Sequence, residues 1–157
     1  MNESARLAEL EKRLKGITAA DMMTRSVITA REEMRLVELA ELIIKNRISG
    51  VPVVNDSGDL VGIITATDMF QLIYMIRSGE IMEGGAKPVC NPTVGLTMSS
   101  DVFTLRETVT LDEIIKVTQE RNIHTLPVTR DGKLVGIIGR RDVFKRFYSL
   151  LQEISTI

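Results

Sequence analysis

The sequence predicts an α+β protein made from one β-α-β-β-α unit used twice. Three observations predict this: an internal repeat, alternation of strand-like and helix-period segments within each copy, and turn residues between paired strands. Sliding the sequence over itself by 75 residues places residues 23–54 on 98–129, with ten identities in thirty-two positions. Beyond the turn the offset becomes 74, and residues 57–70 lie on 131–144 with eight identities in fourteen. Matches this dense in one register mark a duplicated unit.

The elements follow in order. Leu7, Leu10, Leu14 and Ile17 recur at spacings of three or four, which predicts an amphipathic helix over roughly 3–15 with one face needing a partner. That partner is either the same chain or a second subunit. Each copy then opens with a short strand, "SVITA" at 26–30 or "DVFTL" at 101–105. A helix-period segment comes next. In copy 1 it spans roughly 35–46, with Leu36, Leu39, Ala40, Ile43 and Ile44 as its stripe. In copy 2 it spans roughly 111–121, opened by a Thr110/Glu113 capping box. The strands "GVPVV" and "LVGIIT" form a hairpin in copy 1, as "TLPVT" and "LVGIIG" do in copy 2, where Asp131-Gly132 is a hairpin turn pair. Helices over roughly 68–76 and 142–151 close the copies. The division expected is an N-terminal helix (1–19), repeat 1 (20–77), a Gly/Pro-containing linker or surface loop (78–95), and repeat 2 with a C-terminal helix (96–157).

Composition narrows the function. Hydrophobic residues make up 44% and charged residues 26%, ordinary values for a soluble globular protein. Twenty basic against twenty-one acidic side chains leave a net charge of −1, which gives no field for collecting nucleic acid or anionic membrane. Four Phe, two Tyr and no Trp argue against a base-stacking platform. The single cysteine, Cys90, fits a reducing compartment, and no secretory signal or membrane span is visible, so a cytoplasmic protein is expected. No Ser/His/Asp or Cys/His grouping, metal-ligand cluster or phosphate-binding glycine loop appears, and the reading is not an enzyme, with no catalytic cofactor and no metal.

The two copies keep the last strand and the Asp that follows it, "LVGIITATD" and "LVGIIGRRD", while the residues between them differ. Together with "RISGVPVVNDSGDLVGIITATDMF" and "NIHTLPVTRDGKLVGIIGRRDVF", these segments resemble the CBS domain family, over about 20–70 and 96–147. The resemblance implies a pseudo-twofold pair whose clefts lie between the copies and hold adenosine-containing ligands such as AMP, ADP, ATP, S-adenosylmethionine or NAD. Carried over residue by residue, the first cleft has Asp68 accepting from the ribose hydroxyls and Thr65 and Thr67 beside it. Val102, His124, Thr125 and Pro127 then face them from copy 2. The second cleft pairs Asp142 with Thr24, Val27, Ser49, Gly50 and Pro52. There Gly139 and Arg141 replace the hydroxyls of Thr65 and Thr67, and Arg140 and Arg141 offer charge in their place. The implied role is a stand-alone regulatory module, a homodimer acting on a regulated partner protein. The alternative is a ligand-independent dimerisation or protein-interaction module.

The chemistry suits the residue types. An ionised carboxylate has two acceptor oxygens for the two hydroxyls of a ribose diol. A helix start offers free N–H groups to phosphate. The same Thr-x-x-Asp pattern also reads as a helix cap, and Gly139 is a tolerated N-cap, so cap and ligand contact stand side by side for both Asp residues.

Overall fold

The computed structural model describes residues 2–85 and 87–157. Met1 and Ala86, which fall in the expected N-terminal segment and the expected linker, lie outside the described residues. The elements in chain order are α1 (Glu3–Gly16), α2 (Ala19–Met22), α3 (Leu36–Asn46), β1 (Gly50–Val54), β2 (Leu60–Thr65) and α4 (Ala66–Arg77). After them come β3 (Met82–Glu83), β4 (Lys87–Pro88), α5 (Val94–Thr97), α6 (Leu111–Arg121), β5 (Thr125–Arg130), β6 (Lys133–Gly139) and α7 (Arg140–Ser155). They form two compact units that do not follow the sequence copies. One holds residues 2–27, 103–131 and 135–157; the other holds 28–102 and 132–134.

In the 28–102 unit, β1 and β2 pair antiparallel with Gly50 opposite Thr65, Val51 opposite Ile64 and Pro52 opposite Ile63. Val51, Val53 and Ile64 are fully buried, joined by Leu36 and Leu39 from α3, Leu72 from α4, and Ala30, Ile81 and Val94. Burying one such aliphatic side chain contributes about 1.5–3 kcal/mol. The strand expected over 26–30 is reduced to one parallel bridge, Ala30 to Val53: the Ala30 N–H donates to Pro52 and its carbonyl accepts from Val54. The segment expected as a linker or surface loop, 78–95, carries β3, β4 and the start of α5. Arg35 reaches Glu83, the Val37 N–H donates to Asn91 Oδ1, and β3 pairs with β4 antiparallel.

A segment from the start of copy 2 closes this unit. Ile63 exchanges both backbone hydrogen bonds with Ser99 (2.9 and 3.0 Å), and Met98 lies over Gly62. A Cβ at Gly62 would stand 2.3 Å from Met98 Sδ, so the glycine is what admits the methionine.

The other unit repeats the scheme with segments from the start of the chain. Thr24 exchanges two backbone hydrogen bonds with Ile137, and Met23 lies over Gly136, where a Cβ would stand 2.4 Å from its Sδ. Leu105 bridges in parallel to Val128, all that forms of the strand expected over 101–105. Asp131 (φ 52) and Gly132 (φ 78) are both left-handed, the two-residue geometry that joins β5 to β6. Ile17, Met22 and Met23 share a core with Leu111, Ile114, Leu126, Val128, Ile138 and Leu150.

The face of α1 that needed a partner finds it in the same chain. Leu10 and Leu14 pack onto this core against α6 and α7, and Arg13 bridges Glu9 and Glu153. Leu7 stays 65% exposed. Asp21 accepts from the Thr18 N–H at 2.8 Å and the Thr18 hydroxyl at 3.0 Å, which starts α2. Those two donors, the backbone one first, hold the Asp21 carboxyl below its ordinary value.

Candidate functional site

Both conserved-looking features of the repeat, the last strand and its Asp, end at a helix start. In the 28–102 unit, β2 runs directly into α4. Asp68 turns back to accept from the Thr65 N–H (2.8 Å) and the Thr65 hydroxyl (2.9 Å), while the Asp68 N–H donates to Thr65 Oγ1 (3.3 Å). This is a reciprocal capping box. Both bonds received by the carboxylate fall on Oδ2; Oδ1 has no hydrogen bond among the described residues. Beside it lies the start of β1, where Gly50 pairs with Thr65 and the Ser49 carbonyl accepts from the Ala66 N–H at 2.7 Å. Gly50 and Pro52 are buried, Thr67 is exposed and Val102 is half-buried.

In the other unit, β6 runs into α7 the same way. Asp142 Oδ2 accepts from the Gly139 N–H at 2.8 Å, without a side-chain hydroxyl to reciprocate. Asp142 Oδ1 accepts from the Thr24 hydroxyl at 2.9 Å. The capping role therefore holds at both Asp residues, and it engages one carboxylate oxygen in each.

The remaining expected site residues of this unit divide. His124, Gly139 and Arg140 line one cavity of about 550 Å³, together with Ile115, Thr118 and Gln119 of α6, Asn122 just past its end, Leu126 and Ile138 of the hairpin, and Val143 and Phe144 of α7. His124 Nε2 lies 3.1 Å from Asn122 Oδ1. Thr125 and Pro127 are buried in β5, Val27 is half-buried, and Arg141 is exposed and does not line the cavity. A smaller cavity of about 190 Å³ lies between Met22, Asp142, Lys145, Arg146 and Ser149.

The expected clefts draw residues from both units. Within one unit the structure brings Thr65, Asp68, Ser49 and Gly50 together. Within the other it brings Thr24 to Asp142 and His124 to Gly139 and Arg140. Sequence reasoning missed the α6 wall. Ile115 and Thr118 belong to the helix-period stripe of copy 2, but the polar Gln119 and Asn122 beside them gave no sign that this face lines a cavity. It also missed Lys145 and Arg146, which lie one turn beyond Asp142 on the same face of α7. No helix among the described residues is long and apolar enough to cross a membrane.

Comparison with known proteins adds the lineage. The family model "CBS domain" matches residues 19–74 and 94–149. Inosine-5'-monophosphate dehydrogenase of Aquifex aeolicus is 31% identical over 120 residues, covering 76% of this chain and 22% of that protein. The chain spans only 34%, 22% and 24% of the length of three of the curated relatives it matches. Among solved structures, CBSX2 in complex with AMP superposes with a TM-score of 0.74 at 25% identity, covering 86% of this chain and 98% of that one. The CBS domain pair of protein MJ0100, in complex with 5'-methylthioadenosine and S-adenosyl-L-methionine, gives a TM-score of 0.69 at 27% identity over 84% of this chain and 96% of that one. Two tandem matches over most of the sequence, on a fold of two equivalent units, place the chain in the CBS domain family.

Proposed function

We propose that the chain is a regulatory module that binds adenosine-containing ligands, with Asp68 as the ribose acceptor of its main site. The observation that carries this reading is Asp68 Oδ1, which has no hydrogen bond among the described residues and is held in a fixed direction because Oδ2 is tied to Thr65. A fixed carboxylate with an open oxygen is prepared for a vicinal diol without first losing rotamer freedom. Gly50 beside it carries no side chain to bar a planar base, and the start of α4 offers the positive end of its dipole to phosphate. Neighbours whose structures hold AMP, or 5'-methylthioadenosine with S-adenosyl-L-methionine, supply the ligand class. ADP, ATP and NAD share the adenosine moiety. Regulation follows if the bound and free states differ in affinity for a partner protein.

Isothermal titration of the intact chain with AMP and S-adenosylmethionine tests the proposal, with Asp68→Ala as the comparison. Hydrogen bonds to a charged acceptor contribute about 1.5–3 kcal/mol, so loss of Asp68 weakens binding by about 10- to 150-fold. Equal affinity in a folded Asp68→Ala protein refutes the assignment and leaves Asp68 as a cap alone.

A second reading, a dimerisation or interaction module, is favoured by a different observation. On α4, Phe70, Ile73 and Tyr74 are 78%, 58% and 58% exposed, and on α7 Phe144 and Tyr148 are 68% and 63% exposed. Aromatic residues recurring along a helix face without cover suit a contact with a second copy. The two readings are compatible, since a homodimer can carry ligand sites.

A further inference from the structure

The cavity of about 550 Å³ beside α6 lies within one unit, and neither Asp68 nor Asp142 lines it. That volume suits a small organic guest. Leu126 and Ile138, 2% and 0% exposed, give it an apolar floor. Its polar lining is Thr118, Gln119, Asn122, His124 and Arg140, and no carboxylate among the described residues lines it. The Arg140 guanidinium is exposed and makes no ion pair or hydrogen bond among the described residues. Asp142, two places along α7, is engaged instead by the Gly139 N–H and the Thr24 hydroxyl. The repeat shows which of these groups belong to the second copy alone. Thr118, Gln119, His124 and Arg140 stand where the first copy has Ile43, Ile44, Ser49 and Ala66, while Leu126 and Ile138 keep the apolar character of Val51 and Ile64. The fold does not require the polar set, since the first copy forms the same helices and hairpin with isoleucines and an alanine there.

We propose that this cavity binds a small amphipathic organic anion, an apolar body carrying one carboxylate or phosphate. The head group sits on Arg140 and the body lies over Leu126 and Ile138. A guanidinium presents its N–H donors as a planar fork that matches the oxygens of either head group. Asn122 Oδ1 lies 3.1 Å from His124 Nε2, which leaves the Asn122 amide N–H groups, like those of Gln119, to the guest. Both parts of the guest are needed. An uncharged apolar molecule leaves Arg140 unmatched, and a bare inorganic anion leaves the floor wet and forgoes the gain from covering it. The chemistry is the reverse of that at Asp68, where a carboxylate accepts from hydroxyls, and the inference stands whether or not Asp68 holds a ribose.

The test is fluorescence titration of the full chain with 1-anilinonaphthalene-8-sulfonate, an aromatic sulfonate, with octanoate, octyl phosphate and uncharged 1-octanol as competitors. The variants are Arg140→Ala, Arg140→Lys and Thr118→Ile/Val143→Met, the last installing the first copy's Ile43 and Met69. Circular dichroism checks that each is folded. Wild type should bind the probe saturably and release it to octanoate or octyl phosphate at lower concentration than to octanol. The stronger of the two anions names the head group. Arg140→Ala should weaken the anions about fivefold and leave octanol unchanged, and Arg140→Lys should retain most of the preference. The filled Thr118→Ile/Val143→Met protein should weaken every competitor. Equal competition by octanol and the anions, or an anion preference intact in Arg140→Ala, overturns the site. So does probe binding that is unchanged in both Arg140→Ala and the filled protein, which places the probe on the exposed aromatics. A signal per chain that falls as protein concentration rises gives the cavity to a second copy and also overturns it. Displacement of the probe by AMP that Asp68→Ala abolishes makes the cavity part of the adenosine site, which overturns the inference and supports the Asp68 reading.

Discussion

Replacing Gly136 with alanine tests how the leading segment is seated. An ideal Cβ at Gly136 falls 2.4 Å from Met23 Sδ, 2.7 Å from its Cγ and 3.1 Å from its Cβ. Carbon and sulfur atoms rest at about 3.5–4.0 Å, so Met23 must retreat by more than about 1 Å. Met23 is 8% exposed and belongs to a core with Ile17, Met22 and Ile138, which leaves it little room. Overpacking of this kind costs about 1–3 kcal/mol, against which alanine's smaller loss of backbone freedom returns about 0.5–1 kcal/mol. A net loss of about 1–2 kcal/mol lowers Tm by about 2–8 °C in a chain of this size. Met23→Ala alone opens a cavity and costs about 2–5 kcal/mol. In the double variant the new methyl group occupies the vacated space, so the combined loss falls short of the sum by about 0.5–3 kcal/mol. Urea unfolding of the four proteins, followed by circular dichroism, measures this coupling. Additive losses refute the contact as the reason for glycine at this position.

Two further expectations follow from the structure. Asp21→Ala removes the acceptor that starts α2 and costs about 1 kcal/mol at neutral pH. Because hydrogen bonds from Thr18 depress the folded-state pKa of Asp21, its contribution is full above 3.8, the ordinary aspartate value, and is lost as pH falls through the lower folded value. The stability gap between wild type and Asp21→Ala, read from thermal melts, should therefore close on acidification; a gap independent of pH contradicts the assignment. For the exposed aromatics, light scattering should give the mass of a dimer for wild type and of a monomer for Phe70→Glu/Phe144→Glu, and a monomeric wild type refutes the dimer.

What the sequence made legible was whatever rests on local pattern. Helices α3 and α6 sit where their apolar periods place them, starting at Leu36 and Leu111. The hairpin turn at Asp131-Gly132 carries the backbone angles its residues favour. The leading strands were not legible as bridges, because "SVITA" and "DVFTL" have strand composition but only Ala30 and Leu105 find a ladder partner. The seat of Met23 was not legible from the repeat either. A 75-residue self-match fits Met23 over Gly62 as well as over Gly136, and only long-range packing decides between them. At the candidate site, composition exposed the missing hydroxyl at Gly139 but said nothing of the Thr24–Asp142 bond, which joins residues 118 positions apart.

The exchanged leading segments have a consequence for how the chain is assembled. Neither sequence copy contains everything its own hairpin and helices need for closure, since Met23 and Thr24 complete β6 while Met98 and Ser99 complete β2. The early part of the chain must therefore wait, with Ile17, Met22 and Met23 uncovered, until residues beyond 103 have been synthesised. Contacts of such sequence separation raise the contact order and slow folding relative to a protein whose two copies close on themselves. They also bind the copies into one piece: a break between them would take Ile17, Ala19, Met22 and Met23 from one core and Val94 and Met98 from the other.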